Sequence, residues 1–379
     1  MKNKGVDKIL LTGGAGFIGS HTTDLLLKHG YHVSVLDNLE PQVHGRTKKL
    51  PDYINSDATF IHGDIRDRVL LDDLIPDVDA VIHLAAMVGV TQSMYKIQQY
   101  VDVNAQGTAN LLDVLANEEH KVRKLIIASS NTIYGEGKYY CETCSIAVYP
   151  SLRNDQQMRA MQWAQLCSVC GSPLIPISTD EEKPAYPTTI YAMTKRLQEE
   201  MCLLTGKTYG IPTVALRYFN VYGSRQALTN PYTGVLSSFI SRIRSIKPPL
   251  IFEDGNQTRD FTHVTDIVNA NLFALETSQT DYGVFNIGTG TATSIFQIAN
   301  TLIELFGVQL IPDIIKKHRT GDIRHCYADI SKIQKIGFNP RVGLFDGLKE
   351  TINWAYGQES VEDNAESAIK ELREHGLLR

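Results

Sequence analysis

Thr12-Gly13-Gly14-Ala15-Gly16-Phe17-Ile18-Gly19 decides how this chain begins to fold. The octapeptide follows the apolar, β-rich run Lys8–Leu11 and opens the helical pattern Gly16–Lys28, so it is a strand-to-helix turn. Its glycines satisfy both G-x-x-G-x-x-G (Gly13, Gly16, Gly19) and G-x-G-x-x-G (Gly14, Gly16, Gly19). Small residues let the backbone close on a pyrophosphate, and a helix N-terminus offers amide donors and the positive end of a dipole. A glycine run alone is sometimes only a tight turn. Here Asp37-Asn38 ends the next strand, with Asp37 18 residues after Gly19. A carboxylate at that point accepts from adenosine ribose hydroxyls and repels a 2′-phosphate, so NAD is expected over NADP. The alternative for Asp37 is an ordinary turn aspartate.

Working outward, short strands alternate with helical patterns through the first 130 residues. The strands are read at Lys8–Leu11, His32–Leu36, Ala58–His62, Ala80–His83 and Lys124–Ala128, and the helices at Gly16–Lys28, Leu70–Ile75 and Tyr95–Ala116. Such alternation predicts a doubly wound α/β domain on a parallel sheet. Residues 136–187 break the rhythm and read as an insertion; alternation resumes with a helix from Tyr191 to Leu204 and the strand Val214–Arg217. The expected organisation is a Rossmann-type domain over residues 1–222 and a smaller α+β substrate domain over 223–379. Part of 260–285 is expected to return to the first domain, and the tail Glu359–Arg379 to be a charged helix.

The composition excludes several classes. The chain has 379 residues, 43% hydrophobic and 21% charged, which is ordinary for a globular protein and too apolar for a disordered one. Thirty-seven basic against 42 acidic residues leave a net charge of −5, no field to hold nucleic acid or an anionic membrane. No apolar run approaches 18 residues, and Met1–Asp7 has no signal-peptide core, so a cytoplasmic protein with reduced thiols is expected.

Four of the six cysteines form two C-x-x-C pairs, Cys141/Cys144 and Cys167/Cys170, separated by residues 145–166. That 22-residue gap is slightly beyond the usual spacing of a four-cysteine zinc ribbon. Four thiolates suit tetrahedral zinc with no open position, so a structural, zinc-ribbon-like site is expected. Unliganded thiols and redox pairs are the alternatives. The insertion lies between Ser130 and Tyr191 in sequence, which suggests a lid or a wall near a substrate.

Tyr191-Ala-Met-Thr-Lys195 places a phenol and an ammonium four residues apart, on one helix face. A phenol is a poor base at neutral pH unless positive charge favours phenolate, and a lysine and a nicotinamide cation would both do so. Alone a Y-x-x-x-K is a common solvated face. With the glycine fingerprint and the pair Ser129-Ser130 after an apolar strand, it points to proton and hydride transfer.

The set resembles the extended short-chain dehydrogenase/reductases, in the NAD-dependent sugar-nucleotide epimerase/dehydratase group. Besides the motifs above, the segments that carry it are Gly63–Asp67, His83–Ala86, Asn104, Ser129–Gly135, Leu216–Gly223, Arg259–Val264, Phe285–Gly288 and Arg319–Asp322. The resemblance covers nearly the whole chain except the insertion. It implies that Gly13, Gly16, Phe17, Ile18, Gly19, Asp37 and Asn38 bind NAD, with Asp64 and Ile65 at the adenine. Ala85, Ala86 and Asn104 belong to the same groove. It also implies that Tyr191 removes a sugar hydroxyl proton, that Lys195 holds the nicotinamide ribose, and that Ser130 bonds the reacting oxygen. Thr132, Asn220, Arg259 and Arg319 are expected at the nucleoside-diphosphate sugar; a surface ion pair is the alternative for each arginine. A homodimer through the helices near Tyr95–Ala116 and Tyr191–Leu204 is a further implication.

Departures from the family pattern narrow the reaction. The 4,6-dehydratases carry Thr-Asp-Glu where this chain has Ser130-Asn131-Thr132, and an amide and a hydroxyl cannot replace those acids. A 4-epimerase needs only hydride out, rotation of a 4-keto sugar and hydride back. The UDP-galactose 4-epimerases usually have a lysine where Met87–Val90 stands here. The chain is similar to a narrower set, the dTDP-L-rhamnose 4-epimerases, in Val88–Tyr95, the double C-x-x-C insertion and Asn230–Gly234. A UDP-hexose epimerase, a 4-ketoreductase and a non-catalytic NAD-binding regulator are the alternatives.

Overall fold

Seven parallel strands form the central sheet: β1 (Lys8–Thr12), β2 (His32–Asp37), β3 (Thr59–His62), β4 (Ala80–His83), β5 (Lys124–Ser130), β6 (Thr213–Tyr218) and β7 (Val284–Ile287). Their order is β7-β6-β5-β4-β1-β2-β3, reversing direction between β1 and β4. In open sheets of this kind, ligands bind outside the carboxyl ends of the strands at that reversal. The computed structural model describes residues 5–45, 49–228, 230, 232, 234–358 and 365–379. Residues 1–4 of the Met1–Asp7 run, Pro231 and Thr233 of Asn230–Gly234, and residues 359–364 of the tail lie outside the described residues.

Alternation along the strands builds two cores. Ile9, Leu11, Val33, Val35 and Ile126 face one side, where Ile267 and Leu275 of the helix Val264–Glu276 meet them. Leu10, Leu36, Val81, Leu125 and Ile127 face the other side, against Leu111 and Leu115 of Gly107–Asn117 and Cys202 of Ile190–Tyr209. All seven residues of β5 are buried, as a strand covered on both faces requires. A third core, including Phe239, Ile243, Leu302 and Ile352, holds together helices drawn from residues 235–356.

The helix expected over Tyr95–Ala116 differs in detail. It runs as α-helix over Ile97–Tyr100, widens into a π-helical stretch at Val101–Gln106, and returns to α-helix at Gly107–Asn117. Asn104 lies within this stretch: its buried side chain accepts from the Met87 amide (2.7 Å) and donates to the Met87 carbonyl (3.1 Å) and the Thr194 hydroxyl (3.0 Å). Such bulges recur at functional sites.

The insertion has order of its own. Lys138–Cys141 pairs antiparallel with Ile146–Val148 on one side and Ile175–Ile177 on the other. Its core is small: Tyr139, Cys141, Cys167 and Leu174. Arg153 anchors it to the region after residue 250, with both terminal nitrogens on the Glu253 carboxylate (2.8 and 2.9 Å) and one also on the Asp322 carbonyl (3.3 Å).

Candidate active site

A cavity of about 390 Å³ opens at the carboxyl ends of β1, β2, β4 and β5. Gly13, Gly16, Phe17, Ile18 and Gly19 form its floor. Gly13 has φ +71°, and a Cβ there would lie 2.7 Å from the Ala85 amide; one on Gly19 would lie 2.2 Å from the Gly13 carbonyl oxygen. The turn therefore excludes side chains at both positions. The helix Phe17–Lys28 starts at Gly16 with no side chain capping its first amides, which leaves donors for an anionic group. Asp37 ends β2 beside them; its carboxylate accepts from the Ala15 amide (3.0 Å) and the Leu39 amide (2.9 Å). His44 lies 3.9 Å from Asp37, and burial pushes its pKa down. The sequence reading missed His44, because only the tertiary turn brings it there. The residues present fit an NAD diphosphate and adenosine ribose.

Two expected cofactor residues, Asp64 and Asn104, are not among those that line this cavity. Asp64 turns its carboxylate onto the Arg66 guanidinium (2.8 and 2.7 Å) and accepts from Asn38 (2.8 Å), and the arginine holds its pKa down at about 2. Its neighbour Ile65 lines the cavity, and Asp64 acts behind Asn38. Asn104 likewise lies behind the wall, tying the backbone at Met87 to the helix that carries Tyr191. Ala85 and Ala86 line the cavity.

The other end of the cavity gathers Ser130, Thr132, Tyr191 and Lys195. Ser129 and Ser130 at the end of β5 both line the cavity, but the Ser129 hydroxyl donates to the buried Glu199 (2.5 Å). The helix Ile190–Tyr209 is capped by Thr189, whose hydroxyl accepts from the Ala192 amide. Burial pushes the Tyr191 phenol up to about 12, and a hydrogen bond with Ser130 pulls the other way. Burial also pushes Lys195 down to about 8, and its ammonium donates to the Ala128 carbonyl (2.8 Å). In the protein by itself, burial and Ser130 set the phenol, and Lys195 is turned to a backbone oxygen.

A second cavity, about 260 Å³, adjoins the first; Asn131, Thr132, Asn220 and Tyr232 line both. Arg259 and Arg319 line the second. Arg259 is held by the carbonyls of Thr258 (2.8 Å), Ile323 (2.7 Å) and Arg324 (3.0 Å). Arg319 donates to Asp322 (2.8 Å) and lies over the Phe252 ring, 4.6 Å from its centre. The side-chain oxygens of Asn220 and Gln257 are buried without a partner among the described residues. Two guanidinium groups and two open acceptors suit an anionic ligand that also carries N–H or O–H donors. Phe252 and Gln257 were not read from the sequence, since nothing local marks them.

The cysteines of the insertion converge. The sulfurs of Cys141, Cys144, Cys167 and Cys170 all lie within 4.8 Å of one another. Gly171, with φ +74°, closes the second turn, where the Gly171 amide donates to the Cys167 carbonyl (2.9 Å).

Comparison with known proteins agrees with this geometry. The family profile described as the NAD dependent epimerase/dehydratase family matches residues 9–154 and 156–288. The chain belongs to that family, and it is an enzyme of the epimerase kind. It is 34% identical to a dTDP-L-rhamnose 4-epimerase of Burkholderia thailandensis over 92% of this chain and 94% of that one. It is 35% identical to a putative UDP-glucose 4-epimerase of Methanocaldococcus jannaschii over 91% and 97%. Its fold matches the UDP-glucuronic acid 4-epimerase of Bacillus cereus, solved with UDP-glucuronic acid and NAD, at a TM-score of 0.74, 32% identity and coverage of 92% and 99%. No described helix is long and apolar enough to cross a membrane.

Proposed function

We propose that the protein is an NAD-dependent 4-epimerase of a neutral nucleoside-diphosphate sugar, interconverting dTDP-L-rhamnose and dTDP-6-deoxy-L-talose. The observation that carries this reading is the meeting of Ser130, Tyr191 and Lys195 in a glycine-floored cavity that joins a second, arginine-lined one. In this reading the second cavity takes the nucleoside diphosphate through Asn220, Arg259 and Arg319, and the sugar reaches across Thr132 to Tyr191. NAD, when bound, supplies the hydride acceptor and donor for C4. The Tyr191 phenolic oxygen takes the C4 hydroxyl proton as that carbon is oxidised, and Ser130 hydrogen-bonds the same oxygen. Reduction from the opposite face, after the 4-keto sugar has turned, returns the proton from Tyr191. Asn131 and Thr132 have no acid to donate, so the sugar keeps its other hydroxyls.

The choice of sugar rests on the wall beside Ser130. Val88, Gly89 and Val90 line it, and among the described residues Lys195 is the sole lysine or arginine of the first cavity. A uronate carboxylate would meet no free cation there, whereas the methyl group of a 6-deoxysugar suits two valines. The Methanocaldococcus relative favours a second reading, a UDP-hexose. Incubation with dTDP-L-rhamnose, UDP-glucose and UDP-glucuronic acid, followed by proton NMR, separates these. Conversion of dTDP-L-rhamnose alone or best supports the proposal. Preferred turnover of a UDP sugar overturns the sugar assignment, and no turnover of any overturns the enzyme reading of the site.

Two further features belong to the proposal. The four cysteines hold a structural zinc ion, which the mutual approach of their sulfurs supports. The chain is a homodimer through the helices at Ile97–Asn117 and Ile190–Tyr209. What supports this is the exposure on those elements of Ile97, Val101, Met193, Leu197 and Leu204.

A further inference from the structure

We infer that the helix Ala365–Glu374 and the stretch through Arg379 are part of the substrate site: they wall the nucleotide cavity and set the position of Arg319. The inference rests on the reading of the second cavity as the nucleoside-diphosphate site. Three observations carry it.

First, Ala368, Ile369 and Leu372, which share one face of this helix, line the second cavity together with Arg259 and Arg319. Ala368 and Leu372 are 8% and 4% exposed, although half of the helix's residues are charged. The apolar face of an amphipathic helix is thus spent on lining a cavity as well as on packing.

Second, the chain beyond the helix pairs antiparallel with the backbone of Arg319. The His318 amide donates to the Arg379 carbonyl (3.0 Å), the Arg379 amide donates to the His318 carbonyl (3.0 Å), and the Thr320 amide donates to the Leu377 carbonyl (2.9 Å). Leu378 stands opposite Arg319 in this bridge. The guanidinium that the site aims at an anion therefore has its backbone fixed by these residues.

Third, the helix reaches the first cavity. His375 stacks on Tyr95 with ring centres 4.1 Å apart, Tyr95 donates to the Tyr232 hydroxyl (3.0 Å), and Tyr232 donates to Glu371. Tyr232 lines both cavities. A displacement of the helix would thus move a wall of the sugar end as well as of the nucleotide end. Arg379 also pairs with Asp155 of the insertion, closing the ring of contacts.

Deletion of residues 359–379 tests this, with UDP and dTDP as probes in calorimetry and NAD content read by absorbance. The expected result is a Kd for both nucleotides raised about 10- to 100-fold, the loss of roughly 1.4 to 2.8 kcal/mol, with NAD still bound. KM for the nucleotide sugar should rise by a similar factor, and kcat should change far less. Full-length Leu372→Ser should shift Kd in the same direction. In the intact protein, dTDP or UDP should slow amide hydrogen exchange in both 365–379 and 318–320, a response that a purely structural cap would not give. Unchanged affinity in the deletion, or exchange indifferent to either nucleotide, overturns the inference and leaves the nucleotide reading standing. Failure of the intact protein to bind either nucleotide overturns both.

Discussion

The Thr132 hydroxyl lies 2.9 Å from the Ser130 hydroxyl oxygen and donates to it, and the Thr132 amide approaches the same atom at 3.2 Å. With two donors on its oxygen, Ser130 keeps its own proton for whatever it faces, and it faces Tyr191. Tyr191→Phe should abolish turnover and retain NAD, because the ring packing survives and the proton acceptor does not. Ser130→Ala should lower kcat about 10²–10⁴-fold, the span of a positioned acid–base partner. Thr132→Val should cost roughly tenfold in kcat, close to one net hydrogen bond. Steady-state rates, read beside bound NAD, check the series; a Tyr191→Phe protein that keeps most of its rate would sink the assignment.

Burial holds the Tyr191 phenol near 12, so at neutral pH it is protonated in the protein stripped of cofactor. A cationic nicotinamide in the cavity favours phenolate, and the pKa should fall. Activity needs the deprotonated form, so kcat/KM should rise with pH through the lowered value. Tyrosinate absorbance of the wild type minus Tyr191→Phe isolates this group. It should titrate near 12 without NAD and clearly lower with it. Identical curves would remove cofactor charge as the activator.

How much of this was legible depends on where the information sits. Six of the seven strands of the sheet were readable as short β-rich runs, Val284–Ile287 being the one not read, and the Thr12–Gly19 turn was readable because Gly13 and Gly19 have no room for a Cβ. Tyr191 and Lys195 were readable because four residues span one turn. The bond from Arg66 to the Asp64 carboxylate, two residues away, was not read, because spacing within the motif does not reveal it. The bond of Asn104 to Met87, 17 residues away, was illegible because only the tertiary fold brings the two together. The tail could be read as a charged helix, while its docking on Arg319 is purely tertiary.

Lys195 carries a stability cost. Burial lowers its pKa to about 8, so the native state disfavours the charged form. Below that pH both folded and unfolded chains are protonated and the full cost is present. It disappears as pH rises from about 8 toward the ordinary value of about 10.4. Lys195→Met in NAD-free protein should therefore be more stable at pH 7 by on the order of 1 kcal/mol, and the gain should shrink at pH 10. Turnover should be lost at both. Urea midpoints at the two pH values decide; a variant less stable at pH 7 would show that the Ala128 carbonyl bond outweighs the burial.

The insertion supplies the last prediction. Its apolar core is four buried residues, two of them cysteines, too little to hold about fifty residues without a staple. Purified protein should carry close to one zinc per chain, and Cys167→Ser should lose it. The consequence should reach the substrate site through Arg153, which is buried against Glu253 and touches the carbonyl of Asp322. Asp322 is the residue that holds the Arg319 guanidinium, so loosening the insertion should raise KM for the nucleotide sugar. Tyr191 and Ser130 are supported by β5 and their own helix, so NAD binding should persist and kcat should fall less than KM rises. Arg153→Ala should reproduce the KM effect with zinc still bound, which separates the metal from the anchor. Metal-free protein with an ordered insertion would refute the zinc site, and a Cys167→Ser protein with an unchanged KM would disconnect the insertion from the substrate.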